Sequence, residues 1–437
     1  MIILKNLKKR NRKEVINLSI KEIFNKVDEK EDRLIEIFRN VIAVDTTVPP
    51  GLNYDKLVEY LESEFRKLEF SCERVLVPEE EWKQIPYPLK GDRINLVAKQ
   101  GKTDKPLSIY AHMDVVPIEE GWDVNPFAGI VKDDKIYGRG ASDMKGSIAS
   151  LLLALDVIKE LNLVPQYDLN CLLCTDEEIG MYPGVYYLAR KGYIPEGPII
   201  CMEGMQDPLD WLASAGCVDV SIKVKGKSCH SGMNFLGVNA IEESIPILNE
   251  LMNLKKEVEK RESEVPGAGI MMPNAPSNKM TPMFNIDIIN AGNKSNIVPS
   301  LCTFIINRRY IPEEKYEDII EEIKNAVEIG KKNSKALDVT LNFSHIYPAI
   351  KVNASSPNAL KMKEAVKLVQ GYKDENFIAM GLSGSTDMAF VQMVTGNEDI
   401  IFRGTGRSDT CFHAKNEFVY LKDLKALAKE LIYFIIK

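Results

Sequence analysis

The chain has 437 residues, well beyond the size at which one hydrophobic core stops growing, which excludes a small stapled module and predicts two or more domains. Hydrophobic residues make up 45% and charged residues 27%, ordinary globular usage that excludes a disordered chain. Fifty-six Lys plus Arg stand against 63 Asp plus Glu, and the formal charge of -7 leaves no basic field to hold nucleic acid.

Residues 1–30 read as an N-terminal extension. Its start, MIILKNLKKRNRK, is basic and free of acids, and its apolar part precedes the charges, the reverse of a secretory signal. No stretch reaches the roughly 18 to 20 apolar residues of a membrane helix. The eight cysteines are spread too thinly for a disulfide framework. Together these features predict a cytoplasmic protein with neither a membrane nor a nucleic-acid partner. Cys171 and Cys174 form a C-x-x-C, but inside the strand-like run LNCLLCT, where buried thiols are expected rather than a redox pair.

From residue 31 helices and strands alternate. DRLIEIFRNVIAV is helical, a Pro-Pro-Gly break follows at Pro49 to Gly51, and KLVEYLESEFRKL is helical again. Short apolar strands come next: RINLVAKQ, LSIYAHMD, DLNCLLCTDEE and GPIICMEG. Between the second and third lies SIASLLLALDVIKELN, with Ile148, Leu151, Leu152, Leu155 and Ile158 at helical spacing on one face. This is the pattern of an α/β sheet with covering helices.

After Gly216 the pattern changes. The strand VDVSIKVKG, the helix NAIEESIPILNELMNLKKEVEKRE, the strands TPMFNIDIINAG and LCTFIINRR, the helix KYEDIIEEIKNAVEIGKK and the strand ALDVTLNFSHIY give a β-α-β-β-α-β order. The expected organisation is a discontinuous larger domain, 31–214 plus 348–437, interrupted by a two-layer insert at 215–347. The Pro/Gly-rich VPGAGIMMPNAPSN is expected as a loop within the insert. After it come the helix SSPNALKMKEAVKLVQ, the strands NFIAMG and DIIFRG, and a closing helix KDLKALAKELIYFII.

There are four histidines. His112 and Asp114 follow the strand LSIYA, Glu177 and Glu178 follow LNCLLCT, Glu203 follows IICM, and His413 comes a few residues after IIFRG. In open α/β sheets ligands bind outside the carboxyl ends of the strands, so these side chains are predicted to converge. Asp143, in the glycine-rich GRGASDMKG, adds another carboxylate. Each has a plainer explanation: a lone His after a strand is commonly a hydrogen-bonded structural residue, Asp143 could cap its helix, and adjacent acids are commonly solvated. Asp114 favours the metal role, since it could accept the second ring N–H of His112. Two imidazoles, His112 and His413, and three carboxylates, Asp143, Glu178 and Glu203, are too many for one tetrahedral ion, and without thiolate they suit zinc, cobalt or manganese. Two ions bridged by Asp143 fit this count, with the neighbouring Glu177 free to act as general base.

The motifs YAHMDVVP, GRGASDMKGS, TDEEIG, MEG, GKSCHSG, R-x-x-P at Arg309 to Pro312, and HAKNE resemble the co-catalytic zinc peptidases and deacylases. That family includes acetylornithine deacetylase, succinyl-diaminopimelate desuccinylase, aminoacylase-1 and the glutamate-releasing carboxypeptidases. The resemblance runs from about 31 to 437. It implies a three-layer, mixed-sheet α/β catalytic domain of zinc-exopeptidase type with an inserted ferredoxin-like lid and dimerisation domain. It also implies that His112 and Glu203 complete one metal site, Glu178 and His413 the other, and Asp143 bridges them. Asp114 orients His112, and Glu177 is the general base and acid. His230, in GKSCHSG, matches the lid histidine that stabilises the oxyanion, commonly from the partner subunit of a homodimer. Arg309 matches the arginine that binds the substrate carboxylate. Asn296 matches the asparagine of the N-x-V/I-P turn, and Gly384 and Ser385, in GLSGSTD, match a loop that offers N–H groups to that carboxylate.

Asn307 stands where many relatives have Asp, which leaves Arg308 as a competitor of Arg309. Cys411 and His345 match no ligand position. The implied activity is hydrolysis of an amide bearing a nearby carboxylate, in N-acyl amino acids or at a peptide C-terminus, with a di- or tripeptidase as the alternative on this scaffold. A catalytically silent binding protein is opposed by the complete ligand set. A nucleotide-binding α/β protein is opposed by the missing lysine-threonine phosphate loop.

Overall fold

The structure is a computed structural model that describes residues 18–101, 103–180, 184–272 and 274–437. The basic start of the expected N-terminal extension lies outside the described residues. From Ile20 the chain is helical: Ser19 caps the helix Ile20–Glu29 in a capping box with Glu22, and Ile23 and Val27 are buried against the main core.

The central sheet has six strands in the order Ser71–Val77, Arg93–Gln100, Asp168–Cys174, Pro106–His112, Ile199–Cys201 and Ile400–Phe402. The first two pairings are antiparallel and the remaining three parallel. Alternate residues serve opposite faces. Leu169, Cys171 and Leu173 join a core with the helices Glu31–Ile42, Lys145–Glu160 and Leu421–Ile436, whereas Leu172 and Cys174 join a second core with Val185–Arg190 and Met388–Thr395. Cys171 and Cys174 are free, buried thiols belonging to different cores. The helix Lys145–Glu160 is buried nearly all round instead of on one face, because it lies between the sheet and three other helices, Ile20–Glu29, Glu31–Ile42 and Leu421–Ile436.

The insert forms its own four-stranded antiparallel sheet in the order Met283–Ala291, Leu301–Tyr310, Gly216–Lys225, Asp338–Tyr347, the ferredoxin-like arrangement. Val218, Val220, Ile222 and Val224 point to one face and pack with Ile247, Leu251, Ile319 and Ile323 of the helices Ala240–Val258 and Tyr316–Lys331. Gly330 allows those helices to touch, since a Cβ there would lie 2.5 Å from the Cα of Ile247. A small sheet of Ile350–Lys351, Leu209–Ser214 and Ile378–Leu382 abuts the junction, where the N–H of Ala215 donates to the carbonyls of Leu382 at 3.0 Å and Gly384 at 3.2 Å. The chain is thus a three-layer α/β body carrying an inserted α+β unit.

Candidate active site

The parallel strands end together at His112, Cys174, Cys201 and Phe402, and the loops leaving them carry the acids and imidazoles. His112 is the last residue of its strand and fully buried. Its Nε2 lies 3.2 Å from Oδ1 of Asp143, and Nε2 of His413 lies 3.1 Å from Oδ2 of the same carboxylate and 3.0 Å from Oε2 of Glu178. Asp143 does not cap the following helix, whose N-cap is Met144 with no side-chain bond. His413 has a left-handed φ of 62° and sits in the loop beyond the strand Ile400–Phe402.

Ligand atoms of His112, Asp143 and Glu178 all lie within 4.8 Å of one another, and so do those of a second group, Glu177, Glu203 and Asp387. The charge pattern is lopsided. Burial, with Glu203 next, pushes the Glu177 carboxyl well above its usual range; burial, with Asp143 next, raises Glu178 to about 7. Burial opposes charging of His112, yet the carboxylates of Asp143 and Asp114 outweigh it and drive its pKa well up, while bonds to Asp143 and Glu178 push His413 up to about 10. Burial opposes charge on Asp143 too, but bonds to the two imidazoles hold it ionised and its pKa low. Glutamates that resist ionising around imidazoles that hold protons are what this nitrogen and oxygen donor set does without a cation, and a divalent ion takes the place of those protons. The buried Oδ1 of Asp387 has no hydrogen-bond partner, and the donor atoms include no thiolate, so the residues fit hard or borderline divalent cations. Cys411 is exposed, with Sγ 3.5 Å from the carbonyl of Asp409, outside both groups.

Neighbouring side chains brace this cluster. Nδ1 of His112 meets the backbone carbonyl of Asp114 at 3.1 Å, closer than its carboxylate at 3.7 Å; the other carboxylate oxygen accepts the N–H of Glu178 at 2.9 Å. Asp114 therefore serves His112 chiefly through its main chain and Glu178 through its side chain. The hydroxyl of Tyr347 donates to the carbonyl of Glu177 at 2.8 Å and lies 3.3 Å from its Oε1. Gly180 makes room for this contact: its φ is +64°, and a Cβ would lie 2.7 Å from Cγ2 of Ile346. Beneath Glu177, the buried Asp176 accepts from the hydroxyl of Tyr54 at 3.1 Å and lies 3.4 Å from Nε of Arg93.

The remaining candidates fall into two places. Nη1 of Arg309 donates to Oγ of Ser385 at 2.9 Å, and that hydroxyl donates to the carbonyl of Ala215 at 2.7 Å; Gly384 is beside them. Thr386 reaches Glu203 at 3.4 Å, so this pair borders the carboxylate cluster. Arg308 points the other way, 1% exposed and paired with Glu314. His230 and Asn296 lie together at the far end of the insert, where the N–H of Ser231 bonds the carbonyl of Asn296 at 3.0 Å. His345 is held by the hydroxyl of Tyr310 at 2.7 Å and stacks on Tyr316 at 4.0 Å.

Asp387, Tyr110 and Tyr347 are absent from the residues picked out in the sequence. Asp387 ends the GLSGSTD run and accepts a bond from the buried hydroxyl of Tyr110, and burial raises its carboxyl to about 7. Its one signal in the sequence is an acid closing a glycine-serine loop whose interest otherwise lies in its backbone.

The sequence model of peptidase family M20/M25/M40 matches residues 108–437. A probable succinyl-diaminopimelate desuccinylase of Staphylococcus aureus is 27% identical over 424 residues, covering 93% of this chain and 98% of that protein. Among solved structures, the metallo-carboxypeptidase Sso-CP2 of Sulfolobus solfataricus superposes with a TM-score of 0.73 at 20% identity, and a tripeptidase of Staphylococcus aureus with 0.69 at 21%; each alignment covers 93% of this chain and 98% of the other. The chain belongs to peptidase family M20/M25/M40 and is a metal-dependent hydrolase of amide bonds.

Proposed function

We propose that the chain removes the acyl group from an N-acyl amino acid, or the last residue from a peptide, with Glu177 as general base and acid. The observation that carries this is the Asp143 carboxylate shared between His112 and His413 at 3.2 and 3.1 Å, with Glu178 beside them and Glu203 in the neighbouring group with Glu177 and Asp387. His112 and Glu203 would hold one ion, Glu178 and His413 a second, and Asp143 both; zinc is the expected metal, with cobalt or manganese able to replace it. When bound, the ions supply Lewis-acid polarisation of the scissile carbonyl and make water acidic enough to ionise near neutral pH.

The chain's own residues do the rest. Glu177 takes the proton of the attacking water and passes it to the leaving amine nitrogen, a role suited by its enclosed, proton-retaining carboxyl. Arg309 holds the substrate carboxylate in a bidentate grip, with Ser385 and the Gly384 loop completing the pocket. Because Ser385 lies two positions before Asp387, that carboxylate would sit close to the scissile bond, as an α-carboxylate does.

His230 would stabilise the oxyanion from the partner subunit of a homodimer. Gly216 adjoins the body, but Lys225 ends the strand nine steps on, roughly 30 Å away at about 3.3 Å per residue, and His230 lies beyond it. A second copy has a surface to use: Ile241, Ile245 and Met252 make an exposed stripe on one helix, beside Ile288 and Ile289 of the edge strand Met283–Ala291. A cytoplasmic location is part of the same proposal; among the described residues no helix is long and apolar enough to cross a membrane.

Hydrolysis should be assayed on N-acetyl and N-succinyl amino acids, C-terminally varied peptides, and di- and tripeptides, with added zinc, cobalt or manganese and metal quantified on the same preparation. Preference for free-amine di- or tripeptides would move the assignment to the second activity, which the likeness in fold to the staphylococcal tripeptidase favours. Inactivity on all substrates in a protein that binds no ion would overturn both.

A further inference from the structure

We propose that Glu417 is a positioning residue: one buried carboxylate that sets the backbone presenting Asp143 and ties it to the loop presenting His413. The proposal rests on Asp143 being the ligand shared by two ions. Glu417 is 1% exposed, and five donors converge on its two oxygens. Oε1 accepts the N–H of Ser142 at 2.9 Å, the N–H of Asp143 at 3.2 Å and the hydroxyl of Ser142 at 3.3 Å. Oε2 accepts the N–H of Gly140 at 2.9 Å and Nη1 of Arg139 at 2.8 Å. The backbone carbonyl of Glu417 accepts the N–H of Gly138 at 2.9 Å, so the whole turn from 138 to 143 hangs on this residue.

A lone structural ion pair would need only Arg139, which is itself buried and stacked on Trp122. Here three of the five donors are main-chain N–H groups of the turn, and the last belongs to Asp143 itself. With its lone pairs occupied by these donors, Glu417 has no capacity left to ligate an ion. It follows His413 by four positions, and its neighbour Asn416 is fastened by a reciprocal pair of bonds to Asp123 at 2.9 and 2.8 Å. The loop bringing one imidazole and the turn bringing the shared carboxylate are thus joined through a single side chain. Substituting partners behind a metal ligand typically weakens metal binding about 10- to 100-fold, and a clamp acting on both loops should weaken both ions.

The test uses the full-length protein with zinc alone. Zinc dissociation constants are measured by competition with a chromogenic chelator, at a temperature where circular dichroism shows the metal-free proteins folded. Glu417→Gln puts an N–H where a carboxylate oxygen accepted, and both ions should then bind about 10- to 100-fold more weakly. If Glu417→Gln does not fold, Glu417→Asp, which keeps the charge but withdraws it by one methylene, is read in its place, with a smaller loss of the same sign. Wild-type zinc affinity in the folded variant, with only its melting temperature lowered, would overturn the proposal and leave Glu417 a stabilising ion-pair partner. Asp143→Asn separates the two levels: if it loses zinc while Glu417→Gln keeps it, the clamp fails and the assignment of Asp143 stands; if Asp143→Asn binds both ions as wild type does, the assignment fails and the clamp with it.

Discussion

The hydroxyl of Tyr347, the last residue of an insert strand, donates to the backbone carbonyl of Glu177 at 2.8 Å and lies 3.3 Å from its Oε1, so the insert touches the residue proposed as general base. Glu177→Gln should lower kcat by about 10²- to 10⁴-fold, the span typical of a lost general acid–base group, while the ions stay bound. Tyr347→Phe removes one hydrogen bond of about 0.5–1.5 kcal/mol and should lower kcat by less than about tenfold, with little change in KM. Steady-state kinetics beside metal analysis checks both; wild-type kcat in a metal-loaded Glu177→Gln protein would remove Glu177 from the mechanism.

Metal removal should cost stability as well as activity. Asp143, Glu177, Glu178, Glu203 and Asp387 crowd one rim, and a divalent cation offsets their repulsion. A bound ion at about 100 times its dissociation constant stabilises by about 2.7 kcal/mol. Chelated protein should therefore melt several degrees lower, and adding back zinc should recover both melting temperature and hydrolysis. A chelated, metal-free protein that melts unchanged would mean that the carboxylates are not held together by ions.

Neighbouring arginines should fail in different ways. Arg309 faces Ser385, and Arg309→Ala should depress kcat/KM by about 10²-fold or more on carboxylate-bearing substrates, with modest change in stability. Arg308 is buried against Glu314, and Arg308→Ala removes one of that carboxylate's two arginine partners, Arg261 remaining at 2.8 Å, so stability should fall by about 1–3 kcal/mol. Urea titration and kinetics on both variants will tell them apart, and the reverse pattern would exchange their roles.

Much of this was legible because strand ends advertise their loops. His112, Glu177, Glu178 and Glu203 each follow a short apolar run, so the parallel topology brings them together. His413 lies well past its strand, and only the HAKNE motif marks it. Asp387 and Tyr110 escaped because their meeting depends on packing across the sheet, and no local periodicity encodes it. The edge strand Ser71–Val77 escaped too: SCERVLV exposes Cys72, Glu73 and Arg74 to varying degrees and lacks the apolar run that marks its neighbours. Arg308 and Arg309 alternate in a strand, so one had to face inward, but only the fold shows which.

His345 should make stability fall in mild acid. Burial lowers its pKa despite the opposing pull of Glu317; the hydroxyl of Tyr310, the ring of Tyr316 and the backbone of Tyr347 surround it. With the folded value below the unfolded one of about 6.5, the unfolded chain binds the extra proton. Its contribution is therefore complete above about pH 6.5 and is lost as pH falls through the folded pKa. Urea midpoints at about pH 7.5 and about pH 5.0 should differ less in His345→Phe, which keeps a ring against Tyr316, than in wild type. An equal difference in both would clear His345 of the effect.

The distance between His230 and its own chain's carboxylate cluster makes a mixing experiment decisive. A homodimer in which each site borrows His230 of the partner subunit has two separable halves: Glu177→Gln disables a subunit's own site, and His230→Ala disables its partner's. Each variant alone should be nearly inactive. In a mixed dimer, the subunit carrying His230→Ala keeps Glu177 and receives an intact histidine from the other, so one of the two sites works. Random exchange between equal amounts makes half the dimers mixed, and about a quarter of wild-type activity should return. Recovery requires subunit exchange, which light scattering and a tagged partner can follow. If exchange is complete and activity stays at the level of the separate variants, His230 acts within its own chain, and the insert would have to swing its far end back onto the body to bring it there.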